Sequence, residues 1–137
     1  MATAPPDPTS TPRWRFDHIN LRSGDSAPLQ RLFGEVMGLR SGYRPPFRFP
    51  GEWLYHGDET WLHRVHAPAL GAAVQFAHIA FRTDETASAL LARLRAAQLP
   101  HEIAVVPEQR TVQIFVRLPG DFVVELDAPA DAAAPAG

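Results

Sequence analysis

The chain has 137 residues with 13 basic and 15 acidic side chains, so its formal net charge is −2. This near balance gives no electrostatic footprint for nucleic acid or an anionic membrane, and we expect neither as a partner. No apolar run reaches membrane-spanning length and no signal-peptide pattern precedes the fold, which favours a cytoplasmic protein. Because cysteine is absent, disulfides and thiolate chemistry are excluded, and any metal must be held by imidazole and carboxylate.

Both ends of the chain are biased in composition. Residues 1–12 contain four prolines among small and polar residues, and residues 129–137 are rich in alanine and proline. Such segments bury little apolar surface, so we predict a disordered tail at each end. The remaining residues, 13–128, are enough for one folded domain and too few for two independent ones.

The first half of the fold, residues 13–70, is predicted to be a strand, a helix and three further strands. After the strand over 14–22, apolar residues recur at helical spacing and predict one buried stripe made of Leu29, Leu32, Phe33, Val36 and Met37. Gly38 is expected to end this helix. Three prolines within residues 40–51 exclude a central strand and favour an edge strand or a loop over a cavity. Residues 52–57 and 60–66 predict a hairpin.

The second half, residues 71–128, repeats this plan sixty residues later. The segment Phe16-Asp-His18-Ile-Asn-Leu-Arg22 returns as Phe76-Ala-His78-Ile-Ala-Phe-Arg82. An apolar-periodic helix follows each copy, and the second half also finishes with three strands. A repeat of this kind predicts an α+β fold of two βαβββ modules, with eight strands and two helices in all.

Each half offers two polar side chains at equivalent strand positions. His18 and His63 are 45 positions apart and His78 and Glu125 are 47 apart, so a two-residue insertion in the second half makes the positions equivalent. Strand alternation turns all four away from the helix-covered core, and an inward glutamate on an apolar strand needs a partner. If a pseudo-twofold axis relates the halves, the four converge in one cleft. Such a set suits one divalent ion (Fe, Mn, Ni, Co or Zn), and His18, His78 and Glu125 alone have the composition of a facial triad with open positions.

Other side chains are candidates for contact with a substrate. Aromatic residues of the first half could line a pocket for an apolar or aromatic molecule, namely Phe47, Phe49, Trp53 and Tyr55. Arg110 and Gln113 could orient a substrate oxygen. An ordinary core or exposed strand position explains each of these residues equally well. Asp17 and Asn20 could hold the second ring nitrogen of His18, but strand alternation places Asp17 on the opposite face.

The whole pattern resembles the vicinal oxygen chelate superfamily, which includes glyoxalase I, extradiol dioxygenases, fosfomycin-resistance enzymes and bleomycin-resistance proteins. The resemblance spans residues 14–127 and rests on Asp17-His18-Ile19, Leu62-His63-Arg64, residues 77–81, residues 113–117 and Val124-Glu125-Leu126. It implies a curved, cleft-enclosing mixed sheet and the metal ligands His18, His78 and Glu125, with His63 at the fourth place.

Two features of this sequence separate it from members of that superfamily. Glyoxalase I often has glutamate at the fourth place, so His63 brings the set closer to the dioxygenases and fosfomycin enzymes. The dioxygenases usually carry a tyrosine beside the metal in the second module, whereas tyrosine occurs here only at positions 43 and 55.

The resemblance implies a divalent-metal-dependent enzyme that chelates two neighbouring oxygens of a small substrate. It would stabilise an enolate-like intermediate as a lyase or isomerase, with Glu125 able to move a proton. One alternative is a non-haem Fe(II) extradiol-type dioxygenase acting on a catechol-like substrate. Another is a non-catalytic protein that sequesters a ligand, as bleomycin-resistance proteins do. Since each half must bury the other's sheet, we also expect a homodimer, with modules paired within or between chains.

Overall fold

Eight strands and two helices follow the predicted order, βαβββ twice, and a short 3₁₀-helix, Pro68–Leu70, lies between the two halves. The computed structural model describes residues 13–135, so the predicted tail 1–12 and the last two residues of the predicted C-terminal tail lie outside the described part. Helix α1 is one α-turn, Ala27–Leu29, that continues as a π-helix over Gln30–Val36, and α2 is Ala87–Ala96. The strands are β1 Trp14–Ser23, β2 Arg40–Gly42, β3 Gly51–His56, β4 Glu59–His66, β5 Val74–Thr83, β6 His101–Val105, β7 Thr111–Leu118 and β8 Phe122–Pro129.

All eight strands form one mixed, curved sheet in the order β2-β3-β4-β1-β5-β8-β7-β6. Strands β1 and β4 are parallel, as are β5 and β8, while β1 and β5 meet antiparallel at the centre. There Ile19 lies opposite Ile79, its own counterpart in the repeat, which places the pseudo-twofold axis between them. The two halves therefore pair within one chain. The module boundary near residue 70 and the homodimer stay predictions.

A β-bulge interrupts each of the two central strands. Phe16 pairs with Phe81 and His18 with Ala80, which leaves Asp17 as the extra residue of β1. The second shift lies between the pairs Asn20–His78 and Leu21–Phe76, with Ala77 as the extra residue of β5. Asp17 and Ala77 are equivalent in the repeat, so the bulges obey the same pseudo-symmetry. A bulge breaks the simple alternation of side chains along its strand.

One helix covers each half of the sheet on the same side. Beneath α1, the buried cluster contains Leu21, Leu29, Leu39, Leu54 and Leu62. Beneath α2, it contains Ala87, Leu90, Leu91, Leu94, Val112, Ile114, Val116 and Ala128. Because the helices occupy this face, the opposite face of the central strands is left to the polar side chains.

Helix α1 does not bury the stripe predicted for it. Leu29 is buried, but Leu32, Val36 and Met37 are 51%, 76% and 46% exposed. The amide of Met37 bonds to the carbonyl of Leu32, the i→i+5 pattern of a π-helix, whose wider turn moves residues three and four apart out of line. Helix α2 keeps the α pattern and buries its stripe. Within residues 13–135, neither helix is long and apolar enough to cross a membrane.

Part of the segment assigned to a C-terminal tail contacts α2. Strand β8 continues to Pro129, and Asp131 accepts hydrogen bonds from the amide and the hydroxyl of Ser88. Ala134 packs against the apolar cluster beneath α2. The small residues of this segment lie close to α2, and the Asp131 carboxylate fixes the segment to the first turn of that helix.

Candidate metal centre

The four predicted ligands come together on the face of the sheet that the helices leave open. His18 lies on β1, His63 on β4, His78 on β5 and Glu125 on β8. The pairing of Ile19 with Leu62 in the first half matches the pairing of Ile79 with Val124 in the second. His63 and Glu125, the next residues along β4 and β8, therefore occupy equivalent places.

Three of the four side chains lie at distances that suit ligands of one ion. His78 Nε2 is 2.9 Å from Glu125 Oε1, and His18 Nε2 is 3.7 Å from Glu125 Oε2. One ligand atom from each of the three lies within 4.8 Å of the others. Two ligands about 2.1 Å from an ion and at right angles to each other are about 3.0 Å apart. The distance from His78 to Glu125 matches this value, whereas the distance from His18 to Glu125 is longer than a bound ion would require.

The ligand atoms of this trio are buried, and no well-aligned hydrogen bond to a described residue satisfies them, although His78 Nε2 lies 2.9 Å from Glu125 Oε1. His18 Nε2, His78 Nε2 and Glu125 Oε2 have no hydrogen-bond partner among the described residues. A buried polar atom without a partner costs roughly 1–3 kcal/mol, and more when it is charged. One divalent cation would satisfy all three at once. The residues therefore fit a metal ion, and the two-imidazole, one-carboxylate set suits iron, manganese, cobalt, nickel or zinc.

His63 lies beside this trio rather than within it. Its ring is stacked between His18 (centroids 3.4 Å apart, planes at 20°) and Trp53 (3.7 Å, 4°). Two imidazoles that bind one ion both hold it in their ring planes, which nearly parallel stacked rings cannot do. Burial, followed by the charges of His18, His78 and Arg44, lowers the pKa of His63, so its imidazole is neutral. Its Nε2 is also buried without a partner in the described chain.

Asp17 holds the outer nitrogen of His18. The Asp17 Oδ2 atom is 2.6 Å from His18 Nδ1, and Asp17 also lies 3.5 Å from Arg82. A carboxylate at Nδ1 fixes the tautomer whose Nε2 lone pair faces the metal position. The expectation that Asp17 faces away was wrong, because the bulge at Asp17 turns its side chain to the same face. Asn20 is buried but makes no hydrogen bond to His18 in the described part of the chain.

The two acidic residues of β8 carry different charges. Burial by itself would raise the pKa of Glu125, but the neighbouring His78 and His18 outweigh it and the pKa is lowered. Burial and the adjacent Glu125 raise the pKa of Asp127 to about 10, so this carboxyl is neutral. Sequence reasoning missed Asp127. Its signal was available, because a residue two positions from Glu125 on a strand shares its face.

Two cavities, of about 470 and 460 Å³, meet at the centre. The first, the acidic cavity, is lined by Asp17, Asp58, Glu59, Asp127, Arg82 and Arg110 among others. The second, the aromatic cavity, is lined by Phe47, Phe49, Phe115, Arg22, Arg44 and Arg64 among others. Of the predicted substrate contacts, Tyr55 and Arg110 lie in the acidic cavity, Phe47 and Phe49 in the aromatic one, and Trp53 and Gln113 in both. His63 and Glu125 also line both.

No family model and no curated protein matches this sequence. Solved structures do match. A variant of homoprotocatechuate 2,3-dioxygenase from Brevibacterium fuscum is 17% identical with a TM-score of 0.65, over 93% of this chain and 36% of that one. The Mn(II)-bound glyoxalase from Novosphingobium aromaticivorans is 17% identical with a TM-score of 0.62, over 89% and 40%. Methylmalonyl-CoA epimerase from Mycobacterium tuberculosis is 14% identical with a TM-score of 0.59, over 87% and 90%.

This chain spans less than half the length of the dioxygenase and glyoxalase chains. At such identities the likeness concerns the fold, and the shared feature is the paired βαβββ sheet around a cleft. The chain therefore has the fold of the vicinal oxygen chelate superfamily, as the resemblance implied.

Proposed function

We propose that this protein is a metal-dependent enzyme in which His18, His78 and Glu125 hold one divalent ion. The observation that carries the proposal is the group of three buried, unpartnered ligand atoms that face one another. The ion would leave coordination positions open for two neighbouring oxygens of a small substrate. It would supply Lewis acidity, which lowers the pKa of a bound hydroxyl and stabilises the negative charge that develops.

The geometry favours the dioxygenase alternative over a lyase or isomerase. Two histidines and one carboxylate with open positions are the ligand set typical of non-haem Fe(II) oxygenases. The stacking of His63 on His18 supports a set of three ligands rather than four. The activity that the site supports best is therefore the iron- and O₂-dependent ring cleavage of a catechol-like substrate.

His63 is the residue best placed to move a proton in this reaction. It lines both cavities and stacks on a metal ligand, and its Nε2 has no hydrogen-bond partner among the described residues. An imidazole beside the substrate can accept the proton of a hydroxyl whose acidity the metal would raise and return it to the product, a role worth about 10²–10⁴-fold in rate. Trp53 fixes the orientation of His63 by stacking on its other face.

A lyase or isomerase is the second candidate, and Asp127 is the observation in its favour. Asp127 lies on the same face of β8 as Glu125 and lines the acidic cavity. A carboxyl group beside a chelated substrate can exchange a proton with an enolate-like carbon. Such a reaction needs no O₂, and zinc, nickel, cobalt or manganese would serve it.

Elemental analysis of untagged protein tests the metal site. We expect about one equivalent of metal in the parent and in His56→Ala, which removes an exposed imidazole outside the site, and none in His78→Ala. Iron together with O₂ uptake on adding a catechol supports ring cleavage. In that case His63→Gln should keep its metal and lose rate about 10²-fold or more.

The other outcomes discriminate among the candidates. A protein that holds zinc, nickel, cobalt or manganese, consumes no O₂ and exchanges substrate carbon-bound hydrogen with solvent supports the lyase or isomerase. No metal in the parent, even after reconstitution, contradicts both enzymes and leaves the ligand-sequestering alternative.

A further inference from the structure

The two cavities differ in the sign of their charge. Besides the neutral Asp127, the acidic cavity is lined by four carboxylates, Asp17, Asp58, Glu59 and Glu125, against Arg82 and Arg110. The aromatic cavity is lined by three arginines, Arg22, Arg44 and Arg64, against Glu125 alone. A cleft lined by one sign of charge concentrates ligands of the opposite sign. An anionic molecule is therefore favoured in the aromatic cavity and disfavoured in the acidic one.

Of these arginines, Arg44 is the one that is partly buried and still has unused donors. Arg64 is buried and donates to the hydroxyl of Ser23 at 2.7 Å and to its carbonyl at 2.9 Å, with Glu52 at 3.4 Å. Arg22 is exposed. Arg44 is half-buried and donates from Nη2 to the carbonyl of Phe49 at 2.8 Å, and its guanidinium makes no other hydrogen bond to the described residues. Arg44 can thus form a new charge-assisted hydrogen bond without breaking one.

The loop before β3 holds the Arg44 guanidinium in place. Its central carbon lies 5.1 Å from the ring centre of Phe47 and 5.0 Å from that of Phe49, a cation–π arrangement. Gly51 lies beside it, and a Cβ there would lie 2.2 Å from the carbonyl oxygen of Arg64 and 3.1 Å from Nη2 of Arg44, so the close approach of the backbone requires glycine. The guanidinium is therefore oriented, and it lines the same cavity as His63, His78 and Glu125.

The walls of this cavity are suited to an aromatic ring. Phe47 and Phe49 are stacked with centroids 5.0 Å apart, and Trp53 lies 6.1 Å from Phe47. On the far side Phe115 meets the ring of His78 edge-on at 5.5 Å. A volume of about 460 Å³ lies within the range of small-molecule sites.

We infer that the aromatic cavity binds an aryl carboxylate, with the ring among the aromatic walls and the carboxylate on Arg44. The inference rests on the proposed function, since it names the class of substrate for that site. Under it, Arg44 selects a ring that carries an anionic substituent over an uncharged one.

Binding of a matched pair of ligands that lack vicinal oxygens tests the role of Arg44. Phenylacetate and phenylacetamide are titrated into the full chain as purified, and again after chelation, with calorimetry or ligand-observed NMR as the readout. We expect the parent to prefer phenylacetate by about tenfold or more in both forms. Arg44→Gln should abolish this preference. Arg48→Gln, an exposed arginine of the same loop that lies outside both cavities, should retain it.

Three results would overturn the inference. The parent could bind the two ligands equally, it could bind neither, or the preference could survive in Arg44→Gln. If Arg44→Gln does not fold, as judged by circular dichroism, Arg44→Lys takes its place. It keeps the charge but loses the guanidinium donors, so we expect a reduced preference, and an undiminished one counts against the inference. Metal content is measured on the same samples. An Arg44-dependent preference without metal refutes the proposed function alone, and metal without a preference refutes this inference alone.

Discussion

Replacing Asp17 by asparagine should weaken metal binding while leaving every ligand in place. The Asp17 Oδ2 atom is 2.6 Å from His18 Nδ1, and Asp17 is only partly exposed whereas His18 is buried. Loss of such an outer partner typically costs 10–100-fold in metal affinity, or about 1.4–2.8 kcal/mol. Asparagine still offers a carbonyl oxygen to Nδ1 but no negative charge. We therefore expect a loss near tenfold for Asp17→Asn and nearer a hundredfold for Asp17→Ala.

The measurement is competition for metal between the protein and a chromophoric chelator, at constant pH and ionic strength. Arg82→Gln is the matched control, because Arg82 lies 3.5 Å from the other oxygen of Asp17 and is 45% exposed. A surface pair of this kind is worth about 0–1 kcal/mol, so its loss should change the affinity by less than about fivefold. Parent-like affinity in Asp17→Asn, or an equal loss in both variants, would refute the reasoning.

Two further predictions concern the second half of the fold. Ile114→Ala should lower the free energy of unfolding by about 2–5 kcal/mol in urea denaturation, because Ile114 is fully buried beneath α2. The control Ile103→Ala, at a side chain that is 52% exposed, should change it by about 0.5 kcal/mol or less. Equal losses in the two variants would contradict this account of the core. The hydrogen bond from the Ser88 hydroxyl lowers the pKa of Asp131. Its stabilising effect is therefore complete above the ordinary aspartate pKa of about 3.9 and fades as the pH falls through the lowered value. The stability difference between the parent and Asp131→Asn should accordingly shrink on going from about pH 6 to about pH 3, and a difference that does not change with pH would argue against this bond.

The sequence by itself predicted the repeat, the order of strands and helices along the chain, and the four polar side chains that the structure brings together. His18 and His78 occupy matching places in two similar segments, and both are strands because apolar residues alternate along them. The match of His63 with Glu125 requires a two-residue insertion in the second half, and the strand register agrees with that match. These features are local or repeated. The alternation of side chains along a strand and the sixty-residue spacing between the two similar segments are properties of the chain itself. They can therefore be predicted without knowing any distant contact.

Only the tertiary structure decided what surrounds those side chains. The bulge that turns Asp17 toward His18 is a feature of the register between β1 and β5, sixty residues apart, and alternation along one strand cannot reveal it. The π-helical turn of α1 likewise exposes Val36 against the helical periodicity of its sequence. The stacking of His63, the unused donor of Arg44 and the opposite charges of the two cavities arise where strands and loops from both halves meet. They depend on contacts between residues far apart in the chain, so composition and spacing carry no signal for them.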